Sequence, residues 1–269
     1  MKLSPWTRIS LRSVALLYLA VLLVLPLVII LWRTFEKGIG PFFDSITTPA
    51  AQSAFQLSLL IVAIVVPVNV VFGVITAIAL VRGKFPGRNL IQGLVDLPFA
   101  VSPVVVGVSL ILLWGAGGWF GGLDDSGFKV IFALPGMVLA TIFVTMPFVV
   151  REVEPVLHEI GDDQEQAAAT LGASRWQTFW RITLPAIRWG LTYGIVLTVA
   201  RALGEFGAVI MVSTALPGKS QTLTLLVHGR YMNDHNTFGA YCAATLLMGI
   251  ALVVLLLMTL LERKRETAK

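Results

Sequence analysis

Charged residues are scarce in this sequence of 269 residues: they make up 13% of it, whereas 57% is hydrophobic. A soluble domain carries about 25% charged residues, so the composition excludes an ordinary soluble domain and indicates a membrane protein. Cysteine is nearly absent as well. The single Cys242 excludes an internal disulfide, and its place within an apolar run predicts a small buried side chain.

Histidine is also rare, and its distribution excludes several kinds of site. His158, His228 and His235 are scattered and do not have the spacing of metal ligands, so we expect no metal. A serine hydrolase or an intramembrane protease needs a nucleophile beside its base. No serine in the apolar runs has a histidine in the same run. A membrane enzyme is therefore a weak alternative, and we predict no catalytic residues.

A nucleotide site is not indicated either. Gly218-Lys219-Ser220 resembles the end of a phosphate-binding loop, but position 213 is Ser where that loop requires Gly. The net charge of +5 does not predict nucleic-acid binding, because the basic residues lie in short segments between apolar runs. We expect neither a bound cofactor nor nucleic acid.

Six apolar runs are long enough to cross a bilayer. They cover residues 14–32, 57–81, 94–114, 130–150, 191–212 and 238–261. A basic leader precedes the first run, as in a cleaved signal peptide. The run is too long for such a signal, and Arg33-Thr34-Phe35 is not a cleavage site. We therefore expect a retained helix bent at Pro26.

The basic residues set the predicted orientation. Most of the 20 lysines and arginines fall in alternate segments, which include both termini and residues 162–185. Segments rich in Lys and Arg face the cytoplasm. We therefore predict a multi-pass protein of the lipid bilayer with both termini cytoplasmic.

Two ionisable residues lie within the fifth run. Arg201 and Glu205 are four residues apart, so they share a helix face and can pair. Charges inside membrane spans usually serve a function. Arg201 would then supply positive potential to an anion in a translocation pathway, and Glu205 would hold the Arg201 side chain in place. A purely structural ion pair is an equal alternative.

The third run begins with two prolines five residues apart, Pro98 and Pro103. They interrupt helical hydrogen bonds, which is tolerated in a membrane only within protein or beside a watery cavity. The break is a candidate gate or pathway element, together with Asp96 and the hydroxyl of Ser102. The alternative is a simple packing kink. The polar stretch 213–237 is predicted to be part helical and to contact an outside partner, with a solvated loop as an equal alternative.

The polar segment 162–185 is a candidate docking element. Residues 166–169 (QAAA) have small or helix-forming side chains, and Gly172 permits a turn that a Cβ would resist. Pro185 lacks the N–H that a continuing helix needs, so it is expected to end the segment. A helix of small residues followed by a turn suits close contact with another protein.

This segment resembles the EAA loop of permease subunits of bacterial ABC importers, E-A-A-x-x-x-G followed by nine residues and I-x-L-P. Gln166, Ala167, Ala168 and Gly172 match its first part, and Ile182, Leu184 and Pro185 match its second part at the same spacing. The leading Glu of the family is Gln166 here, with Glu165 immediately before it as a possible substitute. Residues 201–208 (RALGEFGA) are similar to the sulfate/thiosulfate importer permeases of the CysW type.

The resemblance implies an all-α type I ABC importer (MetI-like) fold with an extra N-terminal helix. It implies a bacterial inner-membrane subunit that forms half of a translocation pathway. Its partners would be a homologous T-type permease, two copies of an ATPase subunit and an extracytoplasmic sulfate-binding protein. ATP and Mg would be bound by the ATPase, and the EAA loop would couple that subunit to the spans.

The predicted division follows from the resemblance and the runs. Residues 1–52 hold the leader, first helix and outer loop, 53–262 the permease domain, and 263–269 the tail. A molybdate or tungstate permease is the nearest alternative, because such permeases share the loop and the Pro-rich span. A secondary transporter is less favoured, because it would be expected to show internal repeats and broken helices at matched positions.

Overall fold

The computed structural model describes residues 5–122 and 127–267, and the regular elements in these ranges are helices. Lys2 and Lys269, which the sequence assigns to the inner segments, and residues 123–126 lie outside these ranges. The α-helices are α1 (Pro5–Leu19), α2 (Leu25–Phe35), α3 (Ile39–Ile46), α4 (Pro49–Arg82), α5 (Arg88–Ala100), α6 (Pro103–Trp114), α7 (Leu134–Ile160), α8 (Asp163–Thr170), α9 (Arg175–Thr178), α10 (Leu184–Leu203), α11 (Gly207–Val212), α12 (Leu223–His228) and α13 (Thr237–Thr267). Three five-residue π-helical turns are described. One joins α1 to α2 (Ala20–Val24), one joins α9 to α10 (Phe179–Thr183), and one follows α12 (Gly229–Asn233).

Five continuous helical stretches in the described ranges are long and apolar enough to cross a membrane, and the α5–α6 pair makes a sixth if it counts as one span. This agrees with the expected all-helical, six-span fold. The helix ends differ from those of the apolar runs that predict them, and the fifth helix covers Arg175–Leu203 instead of residues 191–212. The second begins at Pro49 instead of residue 57, because Thr48 caps it by accepting the N–H of Ala51 (3.3 Å). The fourth covers Leu134–Ile160 instead of residues 130–150.

Pro26, which was expected to bend its helix, and Pro185, which was expected to end one, both follow widened turns. In both π-turns before them, the amide after the turn bonds to the carbonyl five residues back. A proline has no N–H, and its ring clashes with the carbonyl four residues earlier, so the wider turn lets the helix continue. Contrary to the expectation for the segment 162–185, Pro185 therefore does not end a helix. The helix runs through it from Arg175 to Leu203.

Helix α7 is the centre of the bundle and packs between α4 and α10. Glycines bring the backbones together on both sides. A Cβ on Gly73 of α4 would lie 2.7 Å from the Val149 Cβ, and one on Gly190 of α10 would lie 2.6 Å from the Glu152 carbonyl oxygen. Such small-residue contacts replace the hydrophobic driving force that is absent within a membrane.

Helices α4 and α7 run in the same direction. The Asn69 amide donates to the Thr145 hydroxyl (2.6 Å), and Arg82 donates to the Leu157 carbonyl (3.2 Å). Later residues of one helix therefore contact later residues of the other. Their C-terminal ends lie together at one end of the bundle, which we name the α8 end because α8 follows α7 there.

The chain between α4 and α7 must cross the bundle, because α5 starts near the α8 end and α7 starts at the opposite end. Helices α5 and α6 meet at a bend of 113°. Trp114 at the end of α6 packs in one apolar cluster with Val130 and Leu134 near the start of α7, so the pair forms a broken span that reaches the opposite end. Val101 and Ser102 are extended, as expected for residues just before Pro103. Pro98 stays within α5, so only Pro103 marks the break.

The stretch 213–237 is part helix and part exposed loop, since residues 216–219 and 231–237 are exposed. After the fifth span ends at Leu203, the chain bends and continues as α11, and α12 then packs its apolar face inward, with Leu223 and Leu225 at most 1% exposed. Arg230 is buried and donates to the Ser45 and Gly239 carbonyls and to the Thr48 hydroxyl. Part of the polar composition of this stretch is therefore buried, and Arg230 links it by hydrogen bonds to a distant part of the chain.

Candidate functional site

Helix α8 and the turn after it form a compact unit. Gly172 has a φ of +81°, which favours glycine, and its N–H bonds to the Ala169 carbonyl (3.0 Å). The next amide, of Ala173, bonds to the Ala168 carbonyl (3.0 Å). This pair of bonds is a Schellman motif, which satisfies the last carbonyls of a helix. The glycine of the predicted loop therefore ends α8 in a fixed geometry.

Glu165 anchors α8 to the membrane helices. Its Oε2 accepts a hydrogen bond from Arg82 Nε (3.1 Å), and its Oε1 accepts one from the Thr183 hydroxyl (2.8 Å). The same arginine donates to the Leu157 and Gly161 carbonyls. We name these side chains, Arg82, Glu165 and Thr183, the anchor cluster. It joins α8 to the end of α4, the end of α7 and the π-turn that enters α10.

The opposite face of α8 is open. Gln166 and Ala167 are exposed, Ala168 is half-buried, and Leu171 is 88% exposed. In the second part of the predicted loop, Ile182 and Leu184 are half-buried and Pro185 is exposed. The matched positions thus divide into a small-residue outer face on α8 and a set that packs against the spans. The outer face leaves room for another protein to contact it closely.

The candidate residues of the broken span differ in their solvent exposure and in their contacts. Asp96 forms an ion pair with Arg151 of α7, in which Arg151 Nε donates to the carboxylate (3.0 Å). Pro98 is buried, Ser102 is exposed, and Pro103 is half-buried. A Cβ on Gly207 would lie only 3.1 Å from the Pro103 Cβ. The break between α5 and α6 therefore faces a second break, between α10 and α11.

Arg201 and Glu205 lie at this second break. Their Nη1 and Oε2 atoms are 2.7 Å apart, and the side chains are 33% and 1% exposed, respectively. Glu205 Oε1 also accepts the N–H of Ala208 (2.8 Å), and its carbonyl accepts the Thr224 hydroxyl (2.8 Å). Glu205 thus fixes the start of α11, while part of the Arg201 guanidinium stays accessible. Asp96 pairs with α7 and not with Arg201.

The sequence reasoning missed Arg82, Thr183 and Thr224. Arg82 entered it only as a positive charge that sets orientation, and its partner Glu165 is 83 residues away. The one available signal was the carboxylate beside Gln166, which was noted as a substitute for the glutamate of the EAA loop. The structure shows that this carboxylate faces the spans, whereas Gln166 faces outward.

A bundle of membrane-length helices, broken at two facing positions and joined at one end to a polar helix, defines a multi-pass membrane transport subunit. The family described as "Binding-protein-dependent transport system inner membrane component" matches residues 69–267. The chain belongs to this family.

The relatives agree with this assignment, and a solved structure shares the fold. The "Sulfate transport system permease protein CysW" of Synechococcus elongatus is 49% identical over 257 residues, which cover 95% of this chain and 90% of the relative. The "Sulfate transport system permease protein CysT" of Synechocystis is 34% identical and covers 97% and 92%. A bacterial alginate ABC transporter, crystallised with a pentasaccharide-bound periplasmic protein, has a chain with a TM-score of 0.78. It is 17% identical over 96% of this chain and 94% of that chain, so it supports the fold alone.

Proposed function

We propose that this chain is a permease subunit of an ATP-driven sulfate importer. The observation that carries the proposal is the anchored helix α8, which is held by Glu165 to three spans and exposes a small-residue face on its other side. The substrate is inferred from the CysW relative, whose similarity extends over almost the whole chain. Thiosulfate belongs to the same proposal. The relatives favour sulfate over molybdate or tungstate.

The α8 end is proposed to face the cytoplasm. Arg82, Lys84, Arg88 and Arg151 lie at or near this end, and cytoplasmic segments are enriched in such residues. The chain alternates between the two ends of the bundle. The N-terminus of the first helix and the C-terminus of α13 are therefore both proposed to lie at the α8 end. The opposite end, with α3, α12 and Arg230, would then meet an extracytoplasmic sulfate-binding protein.

The proposed assembly contains a homologous T-type permease and two copies of an ATPase subunit. Each permease would form half of the pathway, and ATP with Mg would be bound and hydrolysed in the ATPase subunits. A conformational change requires something that binds the two states differently. In this assembly the energy of ATP binding would reach the chain through α8.

The anchor cluster would transmit a movement of α8 to the spans. A displacement of α8 would act on the ends of α4 and α7 through Arg82 and on α10 through Thr183. Helix α10 continues to the break at Arg201 and Glu205, which faces the break before Pro103. Movement at the α8 end would therefore change the spacing of the two breaks. Arg201 would contribute positive potential to the anion there.

Uptake by the purified assembly in liposomes tests the proposal. We expect labelled sulfate to accumulate with ATP and Mg when the sulfate-binding protein is present. We expect none with a non-hydrolysable ATP analogue. Unlabelled sulfate or thiosulfate should compete, and molybdate should not. Uptake driven by an ion gradient without ATP would instead identify a secondary transporter, and competition by molybdate alone would overturn the substrate.

A further inference from the structure

A groove along the outside of α4 opens into a polar chamber at the α8 end. The groove has a volume of about 800 Å³ and is lined by apolar residues of α4 and by Trp176, Phe179 and Trp180. The chamber has a volume of about 540 Å³ and includes Arg82, Arg175 and Thr178. Both share Ile78, Ala79 and Phe179, so they are continuous.

The combined cavity has an apolar part and a polar part, so it matches a ligand with an apolar chain and a polar headgroup. Its apolar part extends from Val70 to Ala79, which at about 1.5 Å per residue is about 14 Å, or half of a hydrocarbon core of about 30 Å. Its polar part lies where α4 ends at Arg82, and the tryptophans line the groove close to this polar part. Tryptophan is enriched at membrane interfaces, and arginine reaches from apolar surfaces to headgroups.

The polar chamber has an available positive charge. Arg82 is paired with Glu165, which neutralises both. Arg175 follows the N-cap Ser174 of α9 and has no ion-pair partner within the described ranges. Thr178 and Thr183 also line the wall, but their hydroxyls already donate to the Ser174 carbonyl and to Glu165, so the charge of Arg175 carries the argument. A headgroup with a net negative charge fits this combination better than a zwitterionic one, because one cation is left over.

We propose that the groove holds an acyl chain of an anionic phospholipid whose headgroup phosphate contacts Arg175. The lipid would lie in the leaflet at the α8 end. It would touch Phe179, the first residue of the π-turn, and lie beside the anchor cluster. This inference does not depend on the substrate or on the ATPase, since it concerns only what fills the cavity.

Native mass spectrometry of the purified assembly, titrated with phosphatidylglycerol or phosphatidylcholine, tests it. We expect each copy of the wild-type chain to retain one phosphatidylglycerol more than the Ile75→Trp variant, in which an indole fills the groove. Ile75 is 58% exposed, so the variant should fold. The matched control is Phe72→Trp, at an exposed α4 position that does not line the groove. It should retain the lipid.

Arg175→Gln tests the headgroup contact independently of the groove. Affinity for phosphatidylglycerol should fall about fivefold, the effect of one basic residue near an anionic surface, and the preference for phosphatidylglycerol over phosphatidylcholine should shrink. The control is Arg88→Gln, which removes an exposed arginine at the same end.

Three results would overturn the inference. They are equal lipid retention by Ile75→Trp and Phe72→Trp, equal affinity for the two lipids, and efficient crosslinking of Ile75→Cys to a partner protein. The last result would show that a protein covers the groove.

Discussion

At the scale of single residues, the carboxylate at position 165 determines how α8 is held. It bonds to Arg82 and Thr183, whereas the neighbouring Gln166 points away from the spans. The EAA pattern has its glutamate at the position of Gln166, so spacing alone assigns the carboxylate role to the wrong neighbour. The identity of the anchoring residue depends on contacts between residues far apart in sequence. Sequence periodicity carries no information about them.

Replacing Glu165 by Gln should loosen this joint. The variant loses the ionic contact to Arg82 and should lower stability by about 2 kcal/mol, the magnitude of a hydrogen bond to a charged group. Thermal unfolding of the purified assembly measures the loss, and the ratio of ATP hydrolysed to sulfate taken up should rise. Gln166→Ala is the control and should stay within about 0.5 kcal/mol of wild type. Identical behaviour of the two variants would contradict the anchoring role.

Substitutions at Arg201 and Glu205 can distinguish a role in the translocation pathway from a purely structural role. Arg201→Gln leaves the buried Glu205 charge without its partner, which destabilises by about 3–5 kcal/mol. The double variant Arg201→Gln with Glu205→Gln removes both charges and keeps an acceptor for the Ala208 N–H, so assembly should recover. If Arg201 attracts the anion, sulfate uptake by the double variant should stay at least about tenfold below wild type. Full recovery of uptake would assign the pair to structure alone.

At the scale of elements, the spans are predictable because a bilayer requires long apolar helices. The ends of the spans are harder to predict, since the Thr48 cap and the π-turn before Pro185 extend helices beyond the apolar runs. The stretch 213–237 is part helical, as predicted, but its buried polar residues were not predicted. Arg230 is buried by bonds to distant residues such as Ser45. Composition alone cannot distinguish such residues from a solvated loop.

Packing of α10 on α7 should depend on Gly190. A Cβ there would lie 2.6 Å from the Glu152 carbonyl oxygen, so Gly190→Ala forces the helices apart and should cost about 1–3 kcal/mol. Gly249→Ala in α13 is the matched control, because no atom lies within 4 Å of the added methyl. It should be neutral or stabilising, as alanine is in most helices. Melting temperatures of the two variants in the same detergent give the comparison, and equal values would refute the close contact.

At the scale of the whole molecule, the orientation is open to a direct labelling test. The only cysteine, Cys242, is buried, so it should give little background reaction. A membrane-impermeant maleimide should modify Lys219→Cys in intact spheroplasts and Leu171→Cys only after permeabilisation. Both positions are exposed in the described chain. The reverse pattern would place α8 outside the cell and remove any contact with a cytoplasmic ATPase.

The account rests on α8 as the contact through which a separate ATPase moves the spans. Leu171 tests this most directly, because its side chain is 88% exposed and contributes little to the fold of the chain itself. In Leu171→Asp we expect an unchanged melting temperature for the isolated permease pair, loss of ATPase co-purification, and loss of ATP-dependent sulfate uptake. A Leu171→Asp assembly that retains its ATPase and transports at the wild-type rate would contradict the central claim.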